Sequence, residues 1–187
     1  MSFYIKREKP EPNLEHEIGL PIITCILGER DYNNGVLFYK LLHDIGDIVV
    51  YEYCSPIQRN WDAPINYVNE IGDNLVNFLI VGKNSINESD LCPIKANLIK
   101  YENHTSINGS RRFNLNPGII SAKGISLVSH KPSFRRRPIC DKYWLEDQVY
   151  FIGTSVNLYE HTFPELKDIN RVEIIINSIA SILEDRP

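Results

Sequence analysis

The chain has 187 residues, of which 43% are hydrophobic and 24% are charged, and its formal net charge is -4. This length predicts one domain rather than two, and the composition is typical of a folded globular protein. A negative net charge argues against a general attraction of the whole chain to nucleic acid or to anionic membranes.

The first residues predict an arm rather than a folded element. The stretch beginning "KREKPEP" is charged and interrupted by prolines, so residues 1–16 are predicted to form a charged N-terminal arm. Such an arm serves either as a linker or as a docking segment for a partner, and the sequence leaves both readings open. Residues 17–187 are then predicted to form a single α/β domain.

The first part of the domain predicts alternating strands and helices. The apolar run "IGLPIITCILG" at 18–28 predicts a buried strand that ends in glycine. A helix is predicted over 31–46, because Leu37 and Leu41 recur with their neighbours at helical spacing and Gly46 suits the end of a helix. The run "DIVVYEY" then predicts a short strand. Strand, helix, strand is a usual opening of an α/β domain.

The middle of the chain combines a helix and a strand with a polar stretch. A helix is predicted over 64–76 with Pro64 near its first turn, and "NFLIVG" predicts the strand that follows. Beyond Gly82 the pattern weakens. There "ANLIKYE" predicts a strand and "INGSRRFNLNPG" predicts a turn region.

The last third predicts strands followed by a helix. The stretch "GIISAKGISLVSH" alternates as strands do, and "KYWLE" and "QVYFIG" predict two more. Apolar residues from Val172 to Leu183 recur at helical spacing, and Asn170 with Glu173 fits a capping box, so a closing amphipathic helix is predicted. The whole pattern predicts an α/β fold with a mixed sheet flanked by helices.

The cysteines and the hydropathy predict a cytoplasmic protein. No signal-like N-terminus and no run of eighteen apolar residues is present, so a membrane span is not expected. The four cysteines show no metal-ligand spacing and predict free thiols in a reducing compartment. They are Cys25, Cys54, Cys92 and Cys140.

Three short patterns are weak functional signals. The stretch "LLHDIGD" matches the metal-binding signature of HD phosphohydrolases, but a strand follows at once and His43 suits a helix end. His104 lies in a polar stretch with hydroxyl neighbours and no placed acid. No glycine-rich phosphate loop is present. We therefore predict no metal site and no cofactor.

A basic run is the better guide to a ligand. Arg135, Arg136 and Arg137 are consecutive, and His130 lies just before them. Guanidinium groups bind phosphate oxygens bidentately, so this run predicts a phosphate-binding site. The alternative is a solvated charge run with a solvated histidine beside it.

The stretch "CDKYWLEDQVYFIGTSVN" at 140–157 resembles the phospholipase D superfamily. The motif of that family reads His-x-Lys, four residues, Asp, and later Gly-Ser/Thr with an Asn beyond. In this chain Lys142 is followed after four residues by Asp147, and the turn "GTSVN" supplies Ser155 and Asn157. The resemblance implies that the domain is one phospholipase D-like unit.

That resemblance implies a metal-independent phosphodiesterase chemistry. In the family a histidine attacks phosphorus, lysine neutralises phosphoryl oxygens, and hydroxyl and amide groups hold oxygens. Cys140 occupies the histidine position here, which leaves Cys140 or His130 as the attacking group. Members with one motif copy per chain dimerise, so the resemblance also implies a homodimer or a partner chain.

Two functions therefore follow from the sequence. The first is a phosphodiesterase or nuclease of bacterial defence type, with Lys142, Asp147, Ser155 and Asn157 at its site and the three arginines on phosphate. The second is a non-catalytic unit that binds a nucleic acid, another phosphate-bearing ligand or a partner protein. A structural role in a larger assembly, with no phosphate site, is the third reading.

Overall fold

In the part of the chain that the structure describes, nine strands form one sheet in which every pairing is antiparallel. The structure is a computed structural model that describes residues 18–184, apart from the side chains of Glu52 and residues 181–184. The predicted arm over 1–16 lies outside the described residues. The strands are β1 Ile18–Gly28, β2 Tyr51–Cys54, β3 Leu75–Gly82, β4 Ile86–Asn87, β5 Phe113–Ser121, β6 Gly124–Ser129, β7 Arg137–Cys140, β8 Tyr143–Ile152 and β9 Ser155–Leu158.

The order of the strands corrects the predicted mixed sheet. The order is β2-β3-β1-β5-β6-β8-β7, with β4 paired to β1 and β9 paired to β8. A mixed sheet requires at least one parallel pair, but β3 lies between β1 and β2 and runs antiparallel to both, with Ile22 opposite Val81. The fold is a mixture of helices with an antiparallel sheet, as the coarser α/β prediction required.

Helices cover both faces of the sheet. The helix α5 (Ile169–Glu184) packs Val172 and Ile175 on one face. On the other face, α2 (Gly35–Gly46) packs Leu41 and α4 (Leu91–His104) packs Leu98. Apolar residues alternate between these two cores along β1 and β3, as expected for strands that are buried on both faces. The α-helices of the described residues are α1 Glu29–Asn33, α2 Gly35–Gly46, α3 Ile65–Ile71, α4 Leu91–His104 and α5 Ile169–Glu184.

The local predictions hold where the apolar pattern is strong. The predicted strand over 18–28 is confirmed as β1, and the closing helix is confirmed as α5. The predicted capping box is wrong, because Asp168 provides the cap: the backbone N–H of Arg171 donates to Asp168 Oδ1 at 3.2 Å. The predicted strands "KYWLE" and "QVYFIG" join into the single strand β8. No helix of the described residues is both long enough and apolar enough to cross a bilayer.

Two predictions fail in the polar middle of the chain. The stretch "ANLIKYE" is helical and belongs to α4, whose buried face alternates Leu91 and Leu98 with the charged Lys95 and Glu102. Two charges on the inner face hide the apolar periodicity of this helix. The predicted turn region "INGSRRFNLNPG" runs into β5, because Asn114 and Asn116 lie on that strand with buried side chains.

Strands β5 and β6 form a hairpin whose strands separate at its open end. They pair from Ser121 opposite Gly124 to Gly118 opposite Leu127, and no further. Gly118 permits this close approach, since a Cβ there would lie 2.1 Å from the carbonyl oxygen of Ser126. Beyond Gly118, residues 113–117 of β5 lack a strand partner on this side among the described residues. The separation opens a cleft in the sheet.

Candidate functional site

The residues of the 140–157 motif do not converge. Lys142 is exposed in the turn between β7 and β8, where Cys140 pairs with Tyr143. Ser155 pairs with Ile152 at the other end of β8. The ten residues of β8 span roughly 30 Å at the usual rise of a strand. Lys142 and Ser155 therefore do not contact one phosphate within this chain.

Asp147 lies in the middle of β8 and is bound by two neighbouring side chains. Its Oδ1 accepts hydrogen bonds from Ser126 Oγ and from Arg137 NH1, both at 2.7 Å. Burial alone would raise the pKa of Asp147, but these hydrogen bonds and the charge of Arg137 lower it below its ordinary value. Asn157 lies on β9, opposite Tyr150.

Cys140 is not a free thiol. Its sulfur forms a disulfide with Cys92 at the start of α4, so the prediction that Cys140 attacks phosphorus is wrong. The prediction of four free thiols is wrong for this pair and is confirmed for Cys25 and Cys54. The two partners are 48 residues apart in sequence. Only the packing of β7 beside the start of α4 brings them together.

The three consecutive arginines have different surroundings. Arg135 is exposed and places its guanidinium over the ring of Phe134. Arg136 forms an ion pair with Glu146, with NH2 2.7 Å from Oε2. Arg137 forms ion pairs with Glu88, at 2.5 Å, and with Asp147. Two of the three guanidinium groups thus bind carboxylates of the fold.

Helix α4 binds the free edge of β5. Lys95 Nζ donates to the carbonyl oxygen of Leu115 at 2.9 Å and to Asn116 Oδ1 at 3.2 Å. The backbone N–H of Leu115 donates to Glu102 Oε1 at 2.5 Å. Both polar groups of Leu115 are therefore satisfied by the side chains of Lys95 and Glu102, which take the place of a neighbouring strand. This role explains why two buried charges lie two helical turns apart.

The separation of β5 from β6 creates a cleft of about 640 Å³. Its walls come from α3, α4, the free edge of β5 and the end of β6, and the loop before β7 contributes Arg136. Basic side chains are its commonest charged groups, and they alternate with side-chain amides. The basic residues are Lys95, Arg111, His130, Lys131 and Arg136, and the amides are Asn66, Asn103, Asn114 and Asn116.

The acidic residues of the cleft are bound to Arg111. Its guanidinium contacts Glu70 bidentately, at 2.7 and 2.6 Å, and lies 3.5 Å from Glu102 Oε2. It also donates to Asn114 Oδ1 at 3.1 Å. Burial raises the pKa of Glu102 above its ordinary value, although Lys95, Leu115 and Arg111 oppose that shift. The acids of the cleft are thus largely neutralised by its own basic groups.

The amide of Asn114 provides a buried donor. Asn114 is 4% exposed, and its Nδ2 makes no hydrogen bond of standard geometry in the structure. The nearby phenol of Tyr67 interacts with the amides of Asn114 and Asn116, and burial raises the pKa of Tyr67 to about 12. A buried N–H group without an acceptor costs free energy, so this position favours a ligand that brings an acceptor.

His130 faces the cleft from the end of β6. Burial lowers its pKa below 6.5, and the positive charges of the surrounding basic side chains lower it further. Its imidazole is therefore mainly neutral near pH 7. These basic neighbours are Lys95, Lys131, Arg111 and Arg136.

Two other places were weaker candidates. A second cleft of about 550 Å³ shares Glu70 and Arg111 with the first, but its Arg112 is paired with Asp31. The donor atoms of His43, Asp44 and Asp47 lie within 4.8 Å of one another at the end of α2, where Asp44 also binds Lys40 at 2.8 Å. Acidic clusters of this kind are common on surfaces without a metal ion.

Sequence reasoning identified part of the cleft and missed the rest. His130 and Arg136 were candidates because they are basic and close in sequence, and both line the cleft. Tyr67, Lys95 and Asn114 were missed because they lie on α3, α4 and β5 respectively, which only the tertiary structure brings together. One feature of the sequence could have indicated the cleft: Lys95 and Glu102 are seven residues apart, a spacing that places two charged side chains on the same face of a helix.

Comparison with known proteins corrects the family assignment. A family described as "Domain of unknown function (DUF4416)" matches residues 23–178. The resemblance to the phospholipase D superfamily is wrong, since this match spans nearly the whole described domain and no phospholipase D family matches. No curated protein and no solved structure matches the chain.

Proposed function

The chain belongs to the DUF4416 family, whose function is unknown, and we propose that it binds an anionic, phosphate-bearing ligand in the cleft between β5 and β6. The observation that carries this proposal is the convergence of basic side chains on one cleft. The chain as a whole has a net charge of -4. A local excess of basic groups in an acidic protein favours an anion at that place.

The chemistry of the basic groups supports phosphate. Arg111 and Arg136 present planar guanidinium donors, and Lys131 adds a flexible side chain at the rim. A phosphate group offers several acceptor oxygens, which can engage donors from different walls of the cleft. The ion pairs of Arg111 with Glu70 and of Arg136 with Glu146 hold both guanidinium groups in place before a ligand arrives.

The amides support a ligand with a polar ring beside its phosphate. Four asparagine side chains line the cleft and offer both donors and acceptors, and Asn114 Nδ2 makes no hydrogen bond of standard geometry. The rings of Tyr67 and Phe163 offer apolar surface in the same space. The volume of about 640 Å³ suits a ligand of nucleotide size. A free nucleotide or the terminal nucleotide of a nucleic acid fits these features.

Replacing Lys131 with glutamine tests the proposal without disturbing the core. Titration calorimetry with adenosine monophosphate and with inorganic phosphate, at constant ionic strength, is expected to show binding that Lys131→Gln weakens by roughly three- to tenfold. The matched control is Arg135→Gln, which removes an equally exposed positive charge from the same loop but outside the cleft. Equal losses in both variants, or no binding by the unchanged chain, would contradict the proposal.

Hydrolysis of a phosphodiester is the second candidate function. The observation that favours it is the position of His130 among basic side chains in the lining of the cleft. A neutral imidazole among basic groups is suited to accept a proton at neutral pH. If the cleft turns over bis(p-nitrophenyl) phosphate in excess EDTA, His130→Gln is expected to lower the rate by about 10²- to 10⁴-fold. His104→Gln is the control, because His104 ends α4 outside the cleft. Absence of turnover would reject this candidate and leave the binding proposal intact.

Two further statements stay predictions of the sequence alone. A homodimer or partner chain followed from the single motif copy, and that argument is lost with the phospholipase D resemblance. The cytoplasmic location also stays a prediction. Disulfides are rare in the reducing cytosol, so the Cys92–Cys140 bond counts against that location.

A further inference from the structure

Lys95 is an unusual side chain in the wall of the cleft. It is 3% exposed, although lysine is seldom fully buried without an acidic partner. Among the described side chains no carboxylate lies within 4.0 Å of its Nζ, and its hydrogen-bond acceptors are the neutral oxygens of Leu115 and Asn116. Its surroundings therefore do not stabilise an ammonium ion as an ion pair would.

The two hydrogen bonds of Lys95 suit a neutral amine. An amine has two N–H hydrogens and one lone pair, and the oxygens of Leu115 and Asn116 accept two hydrogen bonds at 2.9 and 3.2 Å. Both hydrogens are then engaged and the lone pair is left for an electrophile. Burial lowers the pKa of Lys95; Glu102 opposes this shift and Arg111 adds to it. A desolvated lysine beside another cation is a recognised way to activate an amine nucleophile.

We infer that Lys95 forms an imine with the aldehyde or ketone carbonyl of an anionic ligand held in the cleft. The inference rests on the proposed function, because Arg111, Lys131 and Arg136 would bind the anionic group and so place the carbonyl beside Nζ. The ligand class is thereby narrowed to a carbonyl compound that carries a phosphate or a similar anion.

The reaction balances without an oxidant, a reductant or a metal. The lone pair of Nζ attacks the carbonyl carbon, and the electrons of the C=O double bond move to oxygen, which takes up a proton. The nitrogen then loses its two protons as the oxygen leaves as water, and a C=N bond forms. One water is released for each imine formed.

Trapping with pyridoxal phosphate tests this inference on the unchanged chain. The phospho-aldehyde is added, any imine is reduced with borohydride to a stable secondary amine, and the modified lysines are located by peptide mass spectrometry. Modification of Lys95 is expected to exceed that of Lys100 several-fold, because Lys100 is an exposed lysine of the same helix outside the cleft and has no anion-binding groups to hold the aldehyde beside it. Excess inorganic phosphate is expected to suppress the Lys95 adduct.

Three further measurements separate the possible failures. Pyridoxal, which lacks the phosphate, is expected to modify Lys95 less than pyridoxal phosphate does, and equal modification would overturn the anionic part of the inference. Modification confined to exposed lysines, while adenosine monophosphate still binds, would overturn the imine and leave the proposed function standing. Loss of both the adduct and the binding would reject both. In Lys95→Arg the total adduct on α4 must fall to the level found on Lys100 in the unchanged chain, and circular dichroism checks the fold of that variant.

Discussion

Replacing Arg171 with alanine is expected to lower the free energy of unfolding by about 2–4 kcal/mol, because several polar groups of the fold lose a charged donor. Arg171 lies in the first turn of α5, and its guanidinium binds the middle of β3 and the segment after β2. NH1 donates to Asn77 Oδ1 at 2.7 Å, to Gln58 Oε1 at 3.0 Å and to the carbonyl oxygen of Glu165 at 3.1 Å. NH2 lies 3.3 Å from Ser55 Oγ. One side chain thus satisfies polar groups of three separate segments.

The cost of this replacement comes from the groups that Arg171 leaves behind. Asn77 is fully buried, and its side-chain oxygen loses the guanidinium as donor. A buried acceptor without a donor costs more than the hydrogen bond itself contributes. The segment around Ser55 and Gln58, which lies along the edge of β3, also loses its link to α5.

Urea denaturation at neutral pH measures the loss for Arg171→Ala, with two reference variants. Arg171→Lys keeps the charge but lacks the planar set of donors, so it is expected to lose roughly half as much. Arg135→Ala removes an exposed arginine and is expected to stay within about 0.5 kcal/mol of the unchanged chain. A loss below about 1 kcal/mol for Arg171→Ala would show that these contacts do not stabilise the fold as argued.

Replacing Glu102 with alanine is expected to cost about 2–4 kcal/mol. The backbone N–H of Leu115 would lose its acceptor at a buried strand edge, and Arg111 would lose one of its carboxylates. Glu102→Gln retains an oxygen that can accept from Leu115, so it is expected to lose much less at neutral pH. Lys100→Ala, on the exposed side of the same helix, is the control, with an expected change within about 0.5 kcal/mol.

The pH dependence of the Glu102 variants has a defined sign. Burial raises the pKa of Glu102 above the ordinary value of 4.5. The folded chain therefore favours the protonated carboxyl more than the unfolded chain does. The stability that this carboxyl contributes is fully present below pH 4.5 and is lost as the pH rises through the raised pKa. The glutamine side chain of Glu102→Gln does not titrate. The free energy of unfolding of this variant, relative to that of the unchanged chain, is therefore expected to increase with pH.

Chemical denaturation of both proteins from about pH 4 to pH 8 measures this difference. A relative stability that falls with pH would mean that the charged carboxylate is the favoured form beside Lys95 and Arg111. The edge contact with Leu115 would then be a salt-bridged site, and the account of a buried, partly protonated carboxyl would be wrong.

The elements with strong apolar periodicity were determined by the sequence alone. The run from Ile18 to Gly28 is β1 in the structure, and Val172, Ile175 and Ile179 form a buried stripe of α5. Local side-chain pattern is sufficient in these places, because burial of one face or of both faces follows from the spacing of the apolar residues. His130 and Arg136 were likewise found as basic residues close together in the chain.

Tertiary structure decided everything that depends on distant partners. The charges of Lys95 and Glu102 hid the helix α4, and their burial is explained only by the unpaired edge of β5 at Leu115. The disulfide of Cys92 with Cys140 and the cleft between β5 and β6 depend on packing that no local spacing encodes. The motif around Lys142 shows the converse: its residues are neighbours in sequence, but an extended strand holds Lys142 and Ser155 at its opposite ends. Spacing along a chain becomes proximity in space only where the backbone turns back on itself, and β8 does not.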